Sequence, residues 1–138
     1  MSLSVGKKNR IRERAGNCCE YCLVSQSARL VRFHVDHIIA KKHDGSDNDD
    51  NLCLACYECN GFKSENVAAL DPLTGDASKF YNPRQQIWDV HFKLNDDMTI
   101  FGLTPEGRTT VEVLRINDPE RLKQRFGEHQ VGDYPCIP

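Results

Sequence analysis

Long apolar runs are missing from this sequence of 138 residues. No stretch approaches the roughly eighteen apolar residues that a membrane helix needs, and no charged-then-apolar leader opens the chain. The sequence therefore predicts neither a membrane span nor secretion, and we expect a cytoplasmic protein. A strong net charge is also missing: the formal value is −2, which argues against a non-specific grip on nucleic acid by the whole surface.

Apolar residues are modest in number, at 39% of the chain. The length is enough for one domain, or for a compact core with an appendage, and a bound metal would help to stabilise a core of this size. The cysteines are seven, an odd number. Because some of them are paired as Cys-x-x-Cys outside a secretory context, metal binding is favoured over disulfides.

The charge is unevenly distributed along the chain. Residues 1–43 carry nine Lys or Arg against three acidic residues, whereas the remainder carries nine against seventeen. A basic N-terminal face suits a protein that offers one surface to phosphates, and Arg10 and Arg12 are the predicted nucleic-acid contacts on it. The alternative is a charged helix whose face is simply solvated.

The N-terminal half predicts a helix, two strands and a second helix. A basic helix is expected from Lys7 to about Ala15, and β-branched and aromatic residues predict a strand over 30–36. A polar loop over 41–50 leads to a short strand over 52–54. A helix is then expected from 57 to about 70, where the following Asp-Pro ends it.

The C-terminal half predicts a hairpin and two helices. The expected segments are a linker over 73–76, a hairpin with strands over 88–94 and 98–102, a helix from Thr104-Pro105 to about Ile116, and a last helix from Asp118-Pro119 to Gly127. In the last helix, Leu122 and Phe126 are spaced i, i+4 and are expected to stack. The final residues, which include Cys136, carry no pattern.

Two Cys-x-x-Cys pairs predict a structural zinc ion, because four thiolates complete a tetrahedral Zn²⁺ site. The predicted ligands are Cys19, Cys22, Cys56 and Cys59. The 33 residues between the pairs exceed the usual gap of a zinc ribbon. Cys18 competes with Cys19, but Cys19 gives the two-residue spacing. Coincidence or disulfides are the alternatives.

Asp36 and His37 lie inside that gap, at the end of the predicted strand. Neighbouring side chains on a strand diverge, so the two are expected to divide the work. The carboxylate is a hard ligand for Mg²⁺ or Mn²⁺, and the imidazole can accept a proton from water at neutral pH. His34 shares the strand face of Asp36 and is either a further metal or phosphate contact or a polar neighbour. Asn60 and Lys63 share one helix face.

These residues together resemble the HNH (His-Me finger, ββα-metal) endonuclease family over roughly residues 10–70. The resemblance is carried by Cys-Glu-Tyr-Cys, Val-Asp-His-Ile and Asn-Leu-x-Leu-x-Cys-x-x-Cys-Asn-x-x-Lys. It implies that Asp36 and Asn60 hold the catalytic divalent ion and that His37 is the general base. It also implies that Asn51 braces the loop and helps to orient the histidine. Asn60 stands where many members have His, which makes this chain an HNN variant and leaves the metal open.

The sequence as a whole predicts a small α+β protein with a zinc-stapled ββα-metal core over 7–72, an extension of hairpin and helices over 73–127, and a tail over 128–138. The predicted activity is hydrolysis of DNA phosphodiester bonds with Mg²⁺ or Mn²⁺, while Lys63 and the basic helix position the nucleic-acid backbone. Two alternatives stay open: a non-catalytic zinc module that binds nucleic acid or protein, and an RNA nuclease.

Overall fold

The computed structural model of the protein describes residues 2–138. Its helices are α1 Val5–Arg14, α2 Tyr57–Lys63, α3 Trp88–His91, α4 Pro105–Val113 and α5 Pro119–Gln130. Its strands are β1 His34–His37, β2 Leu52–Ala55, β3 Ala68–Leu70, β4 Ala77–Lys79, β5 Phe92–Leu94 and β6 Ile100–Gly102. Within residues 2–138, none of the helices is long and apolar enough to cross a membrane.

The centre of the fold is the antiparallel pair β1–β2 followed by α2. The register sets His34 opposite Ala55 and His37 opposite Leu52. All four residues of β2 are buried, and α2 begins directly after it at a cysteine N-cap, Cys56. The α+β fold with a ββα core is therefore confirmed.

Strand β1 is shorter and later than predicted. The expected strand over 30–36 is wrong over its first four residues, and the observed one spans His34–His37. Because β2 offers only four residues for pairing, the apolar side chains before His34 have no strand beside them. Leu30 and Val31 are accordingly exposed.

Helix α2 is also shorter than predicted. It ends at Lys63, because Ser64 takes a positive φ of 51° that breaks the helical path. The expected helix over 57–70 is thus wrong after Lys63, and Ala68–Leu70 instead pairs with Ala77–Lys79 as a hairpin. The predicted linker over 73–76 is the turn of that hairpin.

The C-terminal helices begin where predicted and pack differently. The Thr104 side chain accepts from the Gly107 N–H as the N-cap of α4, and α5 continues through Gly127 to Gln130. The expected stacking of Leu122 and Phe126 is not what fills the interior, since Phe126 is 51% exposed. The buried side chains of α5 are Arg121 and Arg125.

The C-terminal tail packs on the N-terminal cysteine segment. Cys136 forms a disulfide with Cys18, which the sequence did not indicate. The buried Tyr134 donates its hydroxyl to the carbonyl of Cys22 at 2.8 Å. One hydrophobic core contains residues from each of the three predicted ranges. The division at 72 and 127 stays a prediction about the sequence.

Candidate active site and metal centre

A shallow cleft of about 370 Å³ opens between β1, the turn that follows it and α2. His34, Asp36 and His37 line it from the strand, and Asn60 and Ser64 line it from the helix. The structure therefore brings four of the predicted site residues to one surface. They meet because β1 and α2 pack side by side through β2, which connects to both.

Asp36 lies at the base of this cleft and is 8% exposed. Its Oδ2 is 2.9 Å from Nζ of Lys63. Oδ1 accepts no hydrogen bond from residues 2–138, yet it is not an enclosed atom, so it is open to the cleft. Burial raises the pKa of Asp36, and the nearby Lys63 ammonium opposes that shift. One carboxylate oxygen is thus fixed by a cation while the other is left free.

Lys63 does not point outward, contrary to the prediction that it contacts nucleic acid. Lys63 is 1% exposed, and its Nζ also donates to the carbonyl of His37 at 3.0 Å. A lysine is buried only when its charge is paired, and Asp36 supplies that pairing. The predicted phosphate contact of Lys63 is therefore wrong, and what this side chain touches is the backbone and the carboxylate of β1.

His37 is half-buried and is held by an acidic residue of the loop. Its Nε2 lies 2.8 Å from Oδ1 of Asp47, and Oδ2 of Asp47 lies 3.0 Å from Nζ of Lys41. The hydrogen bonds from His37 and Lys41 lower the pKa of Asp47, so this carboxylate stays ionised. Nδ1 of His37 has no hydrogen-bond partner within residues 2–138 and is the nitrogen left for a water molecule.

Asn51 braces the loop that follows β1. Its Oδ1 accepts from the N–H of Ile39 at 2.9 Å, and its Nδ2 donates to the carbonyls of Ile39 and Ser46 at 2.9 and 2.8 Å. Gly45 is needed in the same loop, because a Cβ there would collide with the carbonyl of Ile39. Asn51 thus bonds to the backbone only.

Asn60 is half-buried on the cleft side of α2. Its backbone is fixed in the helix by the bonds Asn60 N–H to Cys56 O and Ser64 N–H to Asn60 O. Its side-chain amide makes no hydrogen bond to any residue between 2 and 138, and it lines the same cleft as Asp36. The carboxamide oxygen is therefore available to a ligand.

The two predicted arginine contacts on α1 lie outside this cleft. Arg10 makes a paired hydrogen bond to the carboxylate of Asp49 at 2.8 and 2.9 Å, and Arg12 donates to the carbonyl of Phe33 at 2.7 Å. Arg10 therefore joins α1 to the loop before β2 at the surface, and Arg12 joins α1 to the segment before β1.

Lys41 and Lys42, which stand on the short turn after β1, are the cations that line the cleft. Their side chains are exposed, with ionic partners at the surface in Asp47 and Glu65. The exposed His34 lies beside them on the rim. The sequence missed these two lysines because nothing in a polar loop says which of its residues turn toward the active face.

The predicted zinc ligands meet in one buried cluster. The Sγ atoms of Cys19, Cys22, Cys56 and Cys59 all lie within 4.8 Å of one another. A tetrahedron with Zn–S bonds of about 2.3 Å has sulfur atoms about 3.8 Å apart, and Cys22 Sγ lies 3.7 Å from Cys56 Sγ. The cluster therefore has the donor set and the size of a tetrathiolate zinc site.

Local structure prepares both halves of this cluster. Leu23 takes a positive φ of 68°, and its N–H donates to the carbonyl of Cys19 at 3.0 Å. This bond closes the turn that carries Cys19 and Cys22, the first knuckle of the cluster. In the second, Cys56 Sγ accepts from the N–H of Cys59 at 3.4 Å. Hydrogen bonds from the neighbouring thiols hold the pKa of Cys22 well below its ordinary value, while burial raises the pKa of Cys59 well above it.

The first knuckle is joined to β2 by Glu20. Its N–H donates to the carbonyl of Leu54 at 2.9 Å, and its Oε2 accepts from the N–H of Leu54 at 2.8 Å. Arg84 of the extension pairs with the other oxygen of Glu20. The first cysteine pair is thus hydrogen bonded to β2, and the second pair begins directly after β2, so this strand brings the two pairs together.

Comparison with known proteins agrees with this geometry. Residues 19–66 match the family model of the HNH endonuclease. Over 112 residues the chain is 28% identical to the Septu protein PtuB of Bacillus thuringiensis, across 80% of this chain and 40% of that protein. This chain thus spans less than half the length of that relative. No solved structure matches it significantly. The ββα core, the cleft and all four clustered cysteines fall in the matched segment, so the part of the chain that carries the candidate site is the part that matches the HNH endonuclease family model.

Proposed function

We propose that the protein is a metal-dependent endonuclease that hydrolyses phosphodiester bonds in DNA. The observation that carries this proposal is the cleft, where Asp36, His37 and Asn60 present a free carboxylate oxygen, a free imidazole nitrogen and a free carboxamide to one space. These are the chemical groups that metal-assisted hydrolysis requires: hard ligands for an ion and a base for water.

Asp36 and Asn60 are the proposed ligands of a single divalent ion, Mg²⁺ or Mn²⁺. Both offer hard oxygen donors, and neither oxygen is taken by another side chain of residues 2–138. Bound there, the ion supplies charge neutralisation for the scissile phosphate and its leaving oxygen. Lys63 orients Asp36 by holding Oδ2, which leaves Oδ1 for the ion.

His37 is the proposed general base. It takes the proton from the attacking water on the nitrogen that faces away from Asp47, and the ionised Asp47 stabilises the resulting imidazolium at 2.8 Å. Asn51 contributes by fixing the loop that carries Asp47, because it bonds to the backbone on both sides of that loop's turn. We therefore give Asn51 a positioning part in the reaction.

Lys41 and Lys42 are the proposed contacts to the DNA backbone, together with His34 on the rim. Exposed ammonium groups beside the reacting centre can hold phosphates without reading the base sequence. Arg10 and Arg12 would contribute only from outside the cleft, because both are engaged with protein groups.

The four-cysteine cluster is proposed to hold one structural Zn²⁺. Soft thiolates and hard oxygens select different ions, so the two metal sites are chemically distinct. Because Asn60 directly follows the ligand Cys59, zinc would fix the position of the catalytic amide.

A plasmid-nicking assay with Mg²⁺, Mn²⁺ or EDTA tests the activity. We expect cleavage with a divalent ion and none in EDTA. His37→Ala should keep the affinity for DNA and lower the rate by roughly 10²- to 10⁴-fold, the usual contribution of a positioned base. His43→Ala is the matched control, because His43 is exposed on the same loop and does not line the cleft.

Two outcomes would count against the proposal. Equal cleavage by wild type and His37→Ala would remove the assigned base. DNA binding without cleavage by any divalent ion would favour a non-catalytic zinc module, a reading that the Asp36–Lys63 ion pair also suits, since it neutralises Asp36 without a metal. Running an RNA of the same sequence in parallel distinguishes the RNA-nuclease alternative.

Salt dependence tests the DNA contacts. Changing Lys41 and Lys42 together to Gln should flatten the dependence of affinity on salt by about two charges, because fewer counterions are released. The matched pair Arg10 and Arg12 changed to Gln should lower stability while leaving that slope nearly as it was. A slope that responds to the arginine pair and not to the lysine pair would place the DNA on α1.

A further inference from the structure

The cysteine cluster is contacted by a cation from outside the family-matched segment. Arg121 lies in the first turn of α5 and is 7% exposed. Its Nη2 is 3.0 Å from Sγ of Cys59 and 3.8 Å from Sγ of Cys56. Within residues 2–138, it is the cationic side chain that hydrogen bonds to the cluster sulfurs.

The guanidinium group is fixed at its other end as well. Nη1 of Arg121 donates to the backbone carbonyls of Leu114 and Arg115, where the chain leaves α4. A planar guanidinium held at both terminal nitrogens, Nη1 and Nη2, has little freedom to turn away from the sulfur. The contact to Cys59 is therefore built into the packing of α5 against the end of α4.

The contact between Arg121 and Cys59 compensates the negative charge that the cluster would carry with zinc bound. One Zn²⁺ with four thiolates carries a net charge of −2, and burying that charge is costly unless it is compensated. A guanidinium is always charged, so Arg121 removes half of the excess. Its hydrogen bond also withdraws electron density from the thiolate of Cys59, whose neighbour Asn60 lines the cleft.

We propose that Arg121 is a positioning residue of the zinc site, which makes retention of zinc depend on the C-terminal helix. This inference rests on the proposed zinc site and not on nuclease activity. A chain that lacks α5 would therefore lose zinc more readily even though all four ligands remain. The extension, by this reasoning, contributes to the metal centre itself.

Arg125 offers a matched control on the same helix. It is as deeply enclosed as Arg121, and it donates to the carbonyls of Met98 and Ile116 and to Oδ1 of Asn117 but to no sulfur. Changing either arginine to Met removes a buried cation and its backbone hydrogen bonds. A difference in zinc binding between the two variants therefore reports the contact to the sulfur.

The experiment measures zinc release to a chelating dye from folded protein, below the unfolding temperature of every variant. Arg121→Met should lower zinc affinity by roughly 10- to 100-fold, as outer hydrogen bonds to metal ligands commonly do. Arg125→Met should release zinc at the wild-type rate. Arg121→Lys keeps the charge with a different geometry, so its zinc affinity should lie between those of wild type and Arg121→Met. This variant also tests the proposal if Arg121→Met does not fold.

Cobalt substitution gives a second readout. The thiolate-to-cobalt absorption bands of Arg121→Lys should shift relative to wild type, whereas those of Arg125→Met should not. Equal release rates and identical bands for the Arg121 and Arg125 variants would overturn the proposal. Wild-type folded protein without any zinc would instead overturn the zinc site, a failure that is distinguishable because it appears before any substitution.

Discussion

The ion pair between Asp36 and Lys63 makes a prediction about stability that needs no substrate. Replacing Lys63 with Met keeps the length and the apolar stem of the side chain while removing its charge. In the wild type the two charged groups are 2.9 Å apart and both side chains are almost fully enclosed. In the variant, Asp36 would be left as a buried carboxylate without a cation. Breaking a buried pair from one side typically costs about 3–5 kcal/mol.

The expected shift in the melting temperature follows from the size of the chain. A protein of 138 residues loses roughly 3–4 °C for each kcal/mol, so Lys63→Met should melt roughly 9–20 °C lower than wild type. The double variant that adds Asp36→Asn should recover most of this loss, because both charges are then gone. Together with the single variant Asp36→Asn, these proteins form a double-mutant cycle that isolates the interaction.

Lys42→Met provides the control for this cycle. The pair formed by Lys42 and Glu65 is also ionic, at 3.5 Å, but both side chains are exposed by 60% or more. Such surface pairs contribute about 0–1 kcal/mol. Thermal and denaturant unfolding without added Mg²⁺ or Mn²⁺ measures all variants. A Lys63→Met protein as stable as wild type, or a double variant as unstable as the sum of its parts, would refute the reasoning.

Three further predictions concern the metal sites and the extension. Cys56→Ser should lose bound zinc, measured by elemental analysis, and fold in lower yield, because zinc binding and folding are coupled. Asn60→Ala should need a higher Mg²⁺ concentration for half-maximal cleavage. Asn66→Ala should not, because Asn66 is exposed just past α2 and does not line the cleft. The hydrogen bond from Arg108 holds the pKa of Asp71 well below its ordinary value, so Asp71→Asn should be less stable at neutral pH. That deficit should shrink as the pH falls below about 3.9, where Asp71 begins to lose its charge in the unfolded chain and then in the folded one.

The four-cysteine cluster and the ββα core were the parts that the sequence predicted well, for a local reason. A Cys-x-x-Cys knuckle places two sulfurs together whatever the rest of the chain does. A strand that ends in Asp36-His37 and a helix that begins after Cys56 then need only one connection, which β2 supplies. The strand and helix lengths were wrong because they depend on partners that are distant in sequence.

Lys63 shows why residue roles were harder to predict than elements. Its spacing from Asn60 correctly indicated a common helix face, but spacing does not say whether that face meets solvent or the core. Lysine is rarely buried, so the ordinary expectation was a surface contact to phosphate. The carboxylate of Asp36 and the carbonyl of His37 on the neighbouring strand hold this side chain inward.

The arginines of α5 follow the same pattern. The sequence predicted that Leu122 and Phe126 stack, because apolar residues at i, i+4 share one helix face. In the structure, α5 instead faces the core with Arg121 and Arg125, whose guanidinium groups donate hydrogen bonds to backbone carbonyls and to sulfur. Two of the three segments that supply those acceptors, at Cys56–Cys59 and at Met98, are distant in sequence from α5, and no local pattern indicates them.

Asp47 is the case in which the missing information matters most for the chemistry. The loop after β1 is rich in aspartates, and composition gives no reason to prefer one of them. Geometry selects Asp47, whose Oδ1 is 2.8 Å from Nε2 of His37. If this carboxylate orients the base, Asp47→Asn should lower kcat while leaving the Mg²⁺ requirement unchanged, because the proposed metal ligands Asp36 and Asn60 are untouched. Asp49→Asn is the control, since Asp49 pairs with Arg10 and does not contact His37. Equal losses of kcat in the two variants would mean that Asp47 serves only the stability of the loop.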